Sequence, residues 1–241
     1  MGAYEEDLAY VHDVGFGGFA SDSAPGLLDL LRKNGVSRGR VCDLGCGSGI
    51  WTRALTDAGY EAEGIDFSAA MIALARKRAP RARFRQGSFL DVELAPCDAL
   101  TAIGEVFNYV FDPPCEPDAL PKIFHRIHRA LRPGGVFLFD LAGPARMDGR
   151  NHAFRQGKDW AILLEREYDR ERLELTRHMT VFRKRGNSYR RSQETHKQKL
   201  YAPALVAEEL RAAGFRARHL QSYGKMKLPR GLGGFLGIAK G

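Results

Sequence analysis

Three alternate glycines, Gly45, Gly47 and Gly49, directly follow an apolar run that ends at Leu44. Glycine allows the backbone to turn sharply and allows a ligand to approach the main chain closely. A helical pattern begins at Ile50, and the first turn of a helix presents backbone N–H groups that favour an anionic group. The spacing predicts a ligand site between a strand and a helix. A tight turn that only packs the helix against the strand is the structural alternative.

Two neighbouring positions narrow the chemistry of this ligand. The dinucleotide fingerprint G-x-G-x-x-G needs a third glycine where Ile50 stands. Asp43, two residues before Gly45, would repel a pyrophosphate and attract an ammonium group. The predicted ligand therefore carries a cation and a carboxylate close together, as the amino-acid end of S-adenosylmethionine does.

A second carboxylate, Asp66, stands at the end of the next apolar run, 17 residues after Gly49. A carboxylate at this point can accept two hydrogen bonds from a ribose diol and would oppose a 2′-phosphate. Taken alone, Asp66 could equally be a helix N-cap. Together with the glycine loop, it favours a nucleoside.

Strand and helix patterns alternate through most of the chain and predict the elements that position these residues. The predicted strands are residues 40–44, 62–66, 82–86, 98–103, 136–141, 217–223 and 234–239. The first predicted helix has Ser23 as its N-cap and ends at Gly35, and the other predicted helices cover residues 50–58, 69–78, 118–131 and 203–213. Residues 1–22 are predicted to be irregular. Such alternation indicates an α/β fold with a mostly parallel sheet and helices on both faces.

The rhythm changes between residues 150 and 201, where strands at 160–168, 172–182 and 189–201 follow one another with short turns. Alternating apolar residues in the middle strand predict one buried and one wet face. We therefore expect a three-stranded antiparallel insertion, covering the substrate, within one domain made of residues 23–149 and 202–241. Residues 1–22 are predicted to close over the site as a lid.

The motifs in their order resemble those of the class I S-adenosylmethionine-dependent methyltransferases, in the small-molecule branch. The resemblance runs from about residue 37 to 142 and resumes after 202, and it rests on Asp43-Leu44-Gly45-Cys46-Gly47-Ser48-Gly49, Asp66-Phe67-Ser68-x-x-Met71, Gly87-Ser88-Phe89 and Asn108-Tyr109. It implies a Rossmann-like, seven-stranded sheet whose last strand is antiparallel.

The resemblance also implies roles for individual residues. The glycine loop would hold the methionine part and Asp66 the ribose. Met71 and the Gly87–Phe89 turn would flank the adenine, and Gly104 and Glu105 would border the sulfonium. Ser88 departs from the pattern, since many members have an acid there, and it would make a weaker neutral bond. The predicted cofactor-binding residues are Asp43, Gly45, Cys46, Gly47, Ser48, Gly49, Asp66, Phe67, Met71, Ser88, Phe89, Gly104 and Glu105.

The implied reaction transfers a methyl group from S-adenosylmethionine to an N or O nucleophile of a small molecule and leaves S-adenosylhomocysteine. A hydroxyl nucleophile would benefit from a general base, whereas an amine needs only to be deprotonated. The candidates by location are Tyr10, His12, Glu105 and Asn108, together with Asp13. Lid packing, capping or substrate orientation are alternative roles for each.

Two further interpretations stay open at this point: an RNA or protein methyltransferase, and a non-catalytic protein that binds S-adenosylmethionine. The first is supported by residues 150–200, which hold fourteen Lys/Arg and seven Asp/Glu and so carry most of the formal net charge of +8. Acids alternate with the arginines there, which dilutes the basic surface that nucleic acids need. We therefore expect a small-molecule acceptor and no nucleic acid partner. An oxidoreductase is disfavoured because the third glycine is missing.

The composition excludes several other classes of protein. With 44% hydrophobic and 27% charged residues in a chain of 241, disorder and fibrous repeats are ruled out. No uninterrupted run of 18 apolar residues occurs, so we expect no membrane span. The acidic N-terminus does not resemble a secretory signal, which favours a cytoplasmic location. The four cysteines are expected to be reduced thiols, and no metal site is expected. The protein is expected to be a monomer or a homodimer.

Overall fold

Seven strands form the central sheet in the computed structural model of the chain, which describes residues 4–110, 119–148 and 150–241. The described strands are β1 (Arg40–Leu44), β2 (Glu61–Asp66), β3 (Arg83–Gln86), β4 (Cys97–Ala102), β5 (Leu131–Ala142), β6 (His152–Gln156), β7 (Trp160–Asp169), β8 (Glu174–Arg185), β9 (Ser188–Lys199), β10 (Phe215–Leu220), β11 (Ser222–Tyr223), β12 (Met226–Lys227) and β13 (Leu232–Ala239). The described α-helices are α1 (Glu6–Phe16), α2 (Gly18–Lys33), α3 (Ile50–Asp57), α4 (Ala69–Arg78), α5 (Ala119–Ala130) and α6 (Pro203–Ala212).

The strand order across this sheet is β10-β13-β5-β4-β1-β2-β3. Among the described strands of the sheet, β13 alone runs in the direction opposite to the other six. The predicted Rossmann-like sheet with an antiparallel last strand is therefore confirmed. Since parallel strands end at a common edge, the loops after β1, β2 and β4 meet there, where α/β sheets bind ligands.

Different helices cover the two faces of the sheet because the side chains of β5 alternate. Phe137 and Phe139 pack with α5 and α6, whereas Val136 and Leu138 pack with α2 and α3. All four side chains are completely buried. Burying each of them contributes about 1.5–3 kcal/mol, so the sheet is a rigid platform for the loops at its edge.

The insertion is a separate antiparallel sheet with the order β6-β7-β8-β9. The prediction of three strands was wrong by one, because β6 has no apolar alternation to reveal it and all five of its residues are exposed. The predicted two faces of the middle strand are confirmed, since Leu175, Met179 and Val181 are buried. The register pairs Arg166 of β7 with Arg177 of β8.

The N-terminal segment is helical, which corrects the prediction of an irregular segment. Leu8 and Val11 of α1 are buried against Trp160 and Ile162 of the insertion. The predicted N-cap Ser23 lies inside α2, where its Oγ donates to the carbonyl of Phe19 at 2.7 Å. Helix α1 owes its position to the insertion rather than to local capping signals, so the sequence of the segment alone gave no sign of it.

Three of the four cysteines, Cys42, Cys46 and Cys97, are buried free thiols, and Cys115 lies outside the described residues. Within residues 4–110, 119–148 and 150–241, no group of three or more His, Cys, Asp or Glu side chains could hold a metal ion. The described helices include none that is long and apolar enough to cross a membrane.

Candidate functional site

The glycine loop between β1 and α3 has the backbone that its sequence predicts. Gly45, Gly47 and Gly49 have φ angles of 61°, 53° and 78°, which other residues rarely adopt. A Cβ on Gly45 would lie 2.6 Å from Val106 Cγ2, whereas a Cβ on Gly47 would meet no atom within 4 Å. Gly45 is thus required for packing, and Gly47 leaves open space at the start of a helix.

That open space belongs to a cavity at the carboxyl ends of β1, β2 and β4, which we call the first cavity. It is lined by ten of the predicted cofactor residues: Asp43, Gly45, Cys46, Gly47, Ser48, Asp66, Phe67, Met71, Phe89 and Gly104. Gly49 packs against α4 instead, and the Oγ of Ser88 accepts from Leu90 N at 3.1 Å. Glu105 lines a different cavity. The individual roles stay predictions, but most of these residues line one cavity.

Asp66 is held at the end of β2 by main-chain donors. Its two carboxylate oxygens accept from Gly47 N and Ser68 N, each at 2.8 Å. The N-cap of α4 is Ser68, whose Oγ accepts from Met71 N at 3.1 Å. Because Ser68 caps the helix, the Asp66 carboxylate is not needed for capping. Asp66 lines the first cavity, where its oxygens can accept further hydrogen bonds from a diol.

Asp43 lies at the base of the same cavity and is almost completely buried. Its two oxygens accept from Thr52 Oγ1 at 2.6 Å and from Thr101 Oγ1 at 3.0 Å. Burial raises the pKa of Asp43 to about 7, although both threonine hydroxyls oppose the shift. These two hydrogen bonds hold Asp43 in place below the glycine loop. Because burial disfavours its ionised form, a cation placed beside Asp43 would stabilise the carboxylate.

This shift predicts a pH-dependent stability for the ligand-free protein. An ordinary Asp titrates near 3.8 and the folded Asp43 at about 7. Because the folded protein favours the protonated side chain, Asp43 contributes its full stabilisation to the unfolding free energy below about pH 3.8. This contribution, on the order of 4 kcal/mol in all, is lost as the pH rises through about 7. We expect Asp43→Asn to flatten the fall in unfolding free energy between about pH 4 and pH 8. Denaturant titrations across this range measure the slope, and an unchanged slope in the variant would contradict the assignment.

A second cavity, of about 460 Å³, opens between α1, the loop after β4 and the insertion. Its volume is within the usual range for a small-molecule site. The two cavities share a wall formed by Tyr4, His12, Phe16, Phe19, Gly104 and Tyr109. Gly104 has a φ of 99°, and no atom lies within 4 Å of where its Cβ would be. A ligand in the first cavity and a ligand in the second would therefore both lie against these six residues.

His12, one of the predicted catalytic residues, stands in the shared wall. Its ring lies edge-on to Tyr4, with 5.1 Å between the ring centroids. Burial lowers the pKa of His12 to about 4, so the imidazole is neutral near pH 7. The hydroxyls of Tyr4 and Tyr109 are 2.6 Å apart. Tyr4 was not among the individually predicted site residues, although it is one of the aromatic residues of the N-terminal segment predicted to form a lid.

Three of the other catalytic candidates, Tyr10, Asn108 and Asp13, line neither cavity. Tyr10 donates to Asp159 Oδ2 at 2.8 Å and lines neither cavity. The buried side-chain amide of Asn108 donates to the carbonyl of Ala142 at 2.9 Å and accepts from the N–H of Ala142 at 2.8 Å. Asn108 therefore fixes the main chain at the end of β5. Asp13 forms an ion pair with Arg78 at 2.8 Å. These side chains serve positions in the fold, and their part in chemistry stays a prediction.

Glu105 lines the second cavity in a left-handed conformation with a φ of 65°. Its N–H donates to the buried Asp140 at 2.6 Å. Its carboxylate pairs with Arg146 and, at 2.8 Å, with Arg177. Burial alone would raise the pKa of Glu105, but the two arginines lower it to about 2. The carboxylate is therefore permanently ionised near pH 7 and does not carry a proton.

The residues around the first cavity fit S-adenosylmethionine. Gly47 and Gly104 leave space for a ligand against the main chain, and Asp66 faces that space. The N–H groups that open α3 suit the carboxylate of the methionine part, and Asp43 suits its ammonium. Met71 is a buried apolar side chain in the lining, and its part against the adenine stays a prediction.

Known proteins resemble the chain in both sequence and fold. A family model described as a methyltransferase domain matches residues 41–135. A dTDP-3-amino-3,4,6-trideoxy-alpha-D-glucopyranose N,N-dimethyltransferase from Streptomyces venezuelae is 26% identical, over 98% of this chain and 99% of the relative. A putative methyltransferase from Bacillus subtilis is 26% identical, over 74% of each chain.

Two solved structures share the whole fold. An S-adenosylmethionine-dependent methyltransferase from Clostridium acetobutylicum has a TM-score of 0.82 and 19% identity, covering 97% of this chain and 98% of its own. The sugar N-methyltransferase KedS8 from a Streptoalloteichus species has a TM-score of 0.79 and 19% identity, covering 100% and 96%. With the fold, the glycine loop, Asp66 and these relatives in agreement, the chain belongs to the class I S-adenosylmethionine-dependent methyltransferases, in the branch that acts on small molecules.

Proposed function

We propose that the enzyme methylates an amine nitrogen of an amino sugar. The observation that carries this proposal is the wall between the two cavities, which offers two tyrosine hydroxyls, an imidazole whose pKa of about 4 makes it a weak base, and no unpaired carboxylate among the described residues. An amine that arrives as the free base needs no general base, whereas a hydroxyl would. The amino-sugar relative from Streptomyces venezuelae supports the proposal because its match covers the insertion as well as the core.

In this proposal the residues of the shared wall orient the acceptor and exclude water. S-adenosylmethionine, when bound, supplies a methyl group on a positively charged sulfur. His12, kept neutral by its burial, accepts a hydrogen bond from the amine N–H and so points the nitrogen lone pair along the line of attack. Such positioning can supply up to about 7–11 kcal/mol of the rate acceleration. Glu105 takes no proton, since two arginines already neutralise it.

We propose that residues 1–22 contribute a lid and residues 150–201 a substrate cover around the core of 23–149 and 202–241. Support comes from the ion pairs of the buried Asp7 in α1 with Arg183 and Arg190 of the insertion. Several arginines of the basic stretch are thus neutralised within the molecule, which favours a small-molecule acceptor over RNA. A cytoplasmic location and a monomeric or homodimeric state stay predictions.

Matched acceptors test the proposed function. We expect a dTDP-linked 3-amino sugar to gain one or two methyl groups from S-adenosylmethionine, and its 3-hydroxy counterpart to gain none, as read by mass spectrometry. Asp66→Ala should abolish the reaction without abolishing folding. Methylation of the hydroxyl sugar, of a carboxylate such as trans-aconitate, or of RNA in place of the amine would overturn the proposal.

A further inference from the structure

The second cavity carries an excess of positive charge. Four arginines line it, Arg146, Arg155, Arg166 and Arg177, against a single carboxylate from the described residues, Glu105. The histidine in its wall is neutral. The cavity therefore has an excess of three positive charges, which no described protein group in its wall balances.

Two of these arginines sit directly opposite each other. Arg166 of β7 and Arg177 of β8 are cross-strand partners, so their side chains leave the insertion on the same face. Like charges at such a pair are destabilising. Burial, and the nearby charges of Arg177 and Arg146, lower the pKa of Arg166. The Glu105 carboxylate relieves Arg177 and Arg146 but does not pair with Arg166.

The hydrogen-bonding capacity of Arg155 and Arg166 is only partly used. Arg166 donates to the carbonyl of Arg150 at 2.8 Å, and Arg155 lies over the ring of Phe16 with 5.0 Å between its Cζ and the centroid. Within the part of the chain that the structure describes, neither forms an ion pair. A guanidinium group placed in this way keeps N–H donors for an anion, and its fork matches phosphate oxygens.

We propose that Arg166, assisted by Arg155, binds a phosphate or diphosphate group on the acceptor. The apolar side chains of Ile162, Leu164 and Met179 line the same cavity and leave room for the uncharged part of that molecule. The acceptor is thus recognised at two places, its nucleophile at the shared wall and its anion at the arginines. This inference rests on the proposed function only in taking the second cavity as the acceptor site.

Equilibrium binding tests the inference separately from methyl transfer. The enzyme loaded with S-adenosylhomocysteine is titrated by calorimetry with thymidine diphosphate, thymidine, inorganic pyrophosphate and trans-aconitate. We expect thymidine diphosphate to bind at least about tenfold more tightly than thymidine, and pyrophosphate to compete with it. Binding of both phosphates should weaken at high salt.

Arg166→Gln is the decisive variant, with Arg170→Gln in the exposed turn after β7 as its control. Arg166→Gln should weaken thymidine diphosphate and pyrophosphate at least about tenfold and leave S-adenosylhomocysteine affinity unchanged. It should also raise the melting temperature of the ligand-free protein, because the repulsion with Arg177 is removed. Arg170→Gln should change none of these.

Three results would overturn the inference. These are equal affinity for thymidine diphosphate and thymidine, phosphate affinity that does not depend on Arg166, or tight binding of trans-aconitate alone, which would assign the arginines to a carboxylate. If the phosphates bind as expected but the amino sugar is not methylated, the proposed function fails while the anion site stands.

Discussion

Gly47→Ala is expected to abolish detectable binding of S-adenosylmethionine and S-adenosylhomocysteine, with a loss of roughly hundredfold or more in affinity. Gly47 combines a φ of 53° with open space where a Cβ would project. A methyl group there would occupy the volume in which the cofactor approaches the main chain. The left-handed conformation adds a strain of about 1–2 kcal/mol in the folded state.

Gly186→Ala separates the two effects. Gly186 lies in the turn between β8 and β9, has a φ of 61°, and also has no atom within 4 Å of the point where a Cβ would lie. Both variants should lose about 1–2 kcal/mol of unfolding free energy. Calorimetry with S-adenosylhomocysteine should show lost binding for Gly47→Ala alone. Equal affinity in the two variants would mean that the glycine loop does not contact the cofactor.

Glu105→Gln is expected to destabilise the protein by about 3–5 kcal/mol, because it leaves Arg146 and Arg177 in a confined cavity without their shared partner. The KM for the acceptor should rise, since both arginines line the cavity proposed for it. Denaturant unfolding measures the first effect and steady-state kinetics the second. Removing Arg177 as well, in Glu105→Gln/Arg177→Gln, should recover part of the lost stability.

The control for Glu105 is Asp148→Asn, which breaks the exposed ion pair with Arg230. Exposed pairs contribute about 0–1 kcal/mol, so this variant should be nearly silent. The pH–rate profile gives a further check. Because the pKa of Glu105 is about 2, its ionisation should not limit the rate above about pH 4. A rate limb near neutral pH that disappears in Glu105→Gln would make this residue a general base and contradict its role as an arginine partner.

The core of the site could be predicted because its requirements are local. Positive φ angles favour glycine, so the glycines at positions 45, 47 and 49 indicate this backbone conformation in the sequence. The bounds of β1 and α4 agree with prediction because a strand of apolar residues and a helix with a serine cap are complete signals within a few residues. Asp66 follows from its position at the end of a strand.

The second cavity could not be predicted because it depends on contacts between distant segments. Glu105 meets arginines 41 and 72 residues away. Arg166 faces Arg177 because of the register of a hairpin, which the alternation of apolar residues does not set by itself. Helix α1 and Tyr4 take their places by packing on the insertion, and β6 has only exposed side chains. Sequence patterns therefore predicted most of the residues that line the first cavity and missed most of those that line the second.

A crystal structure of the enzyme soaked with S-adenosylhomocysteine tests the central claim most directly. We expect density in the first cavity, with the ribose hydroxyls on Asp66, the methionine part over Gly47, and the sulfur beside Gly104 and open to the second cavity. An empty first cavity, or a dinucleotide bound in that place, would contradict it.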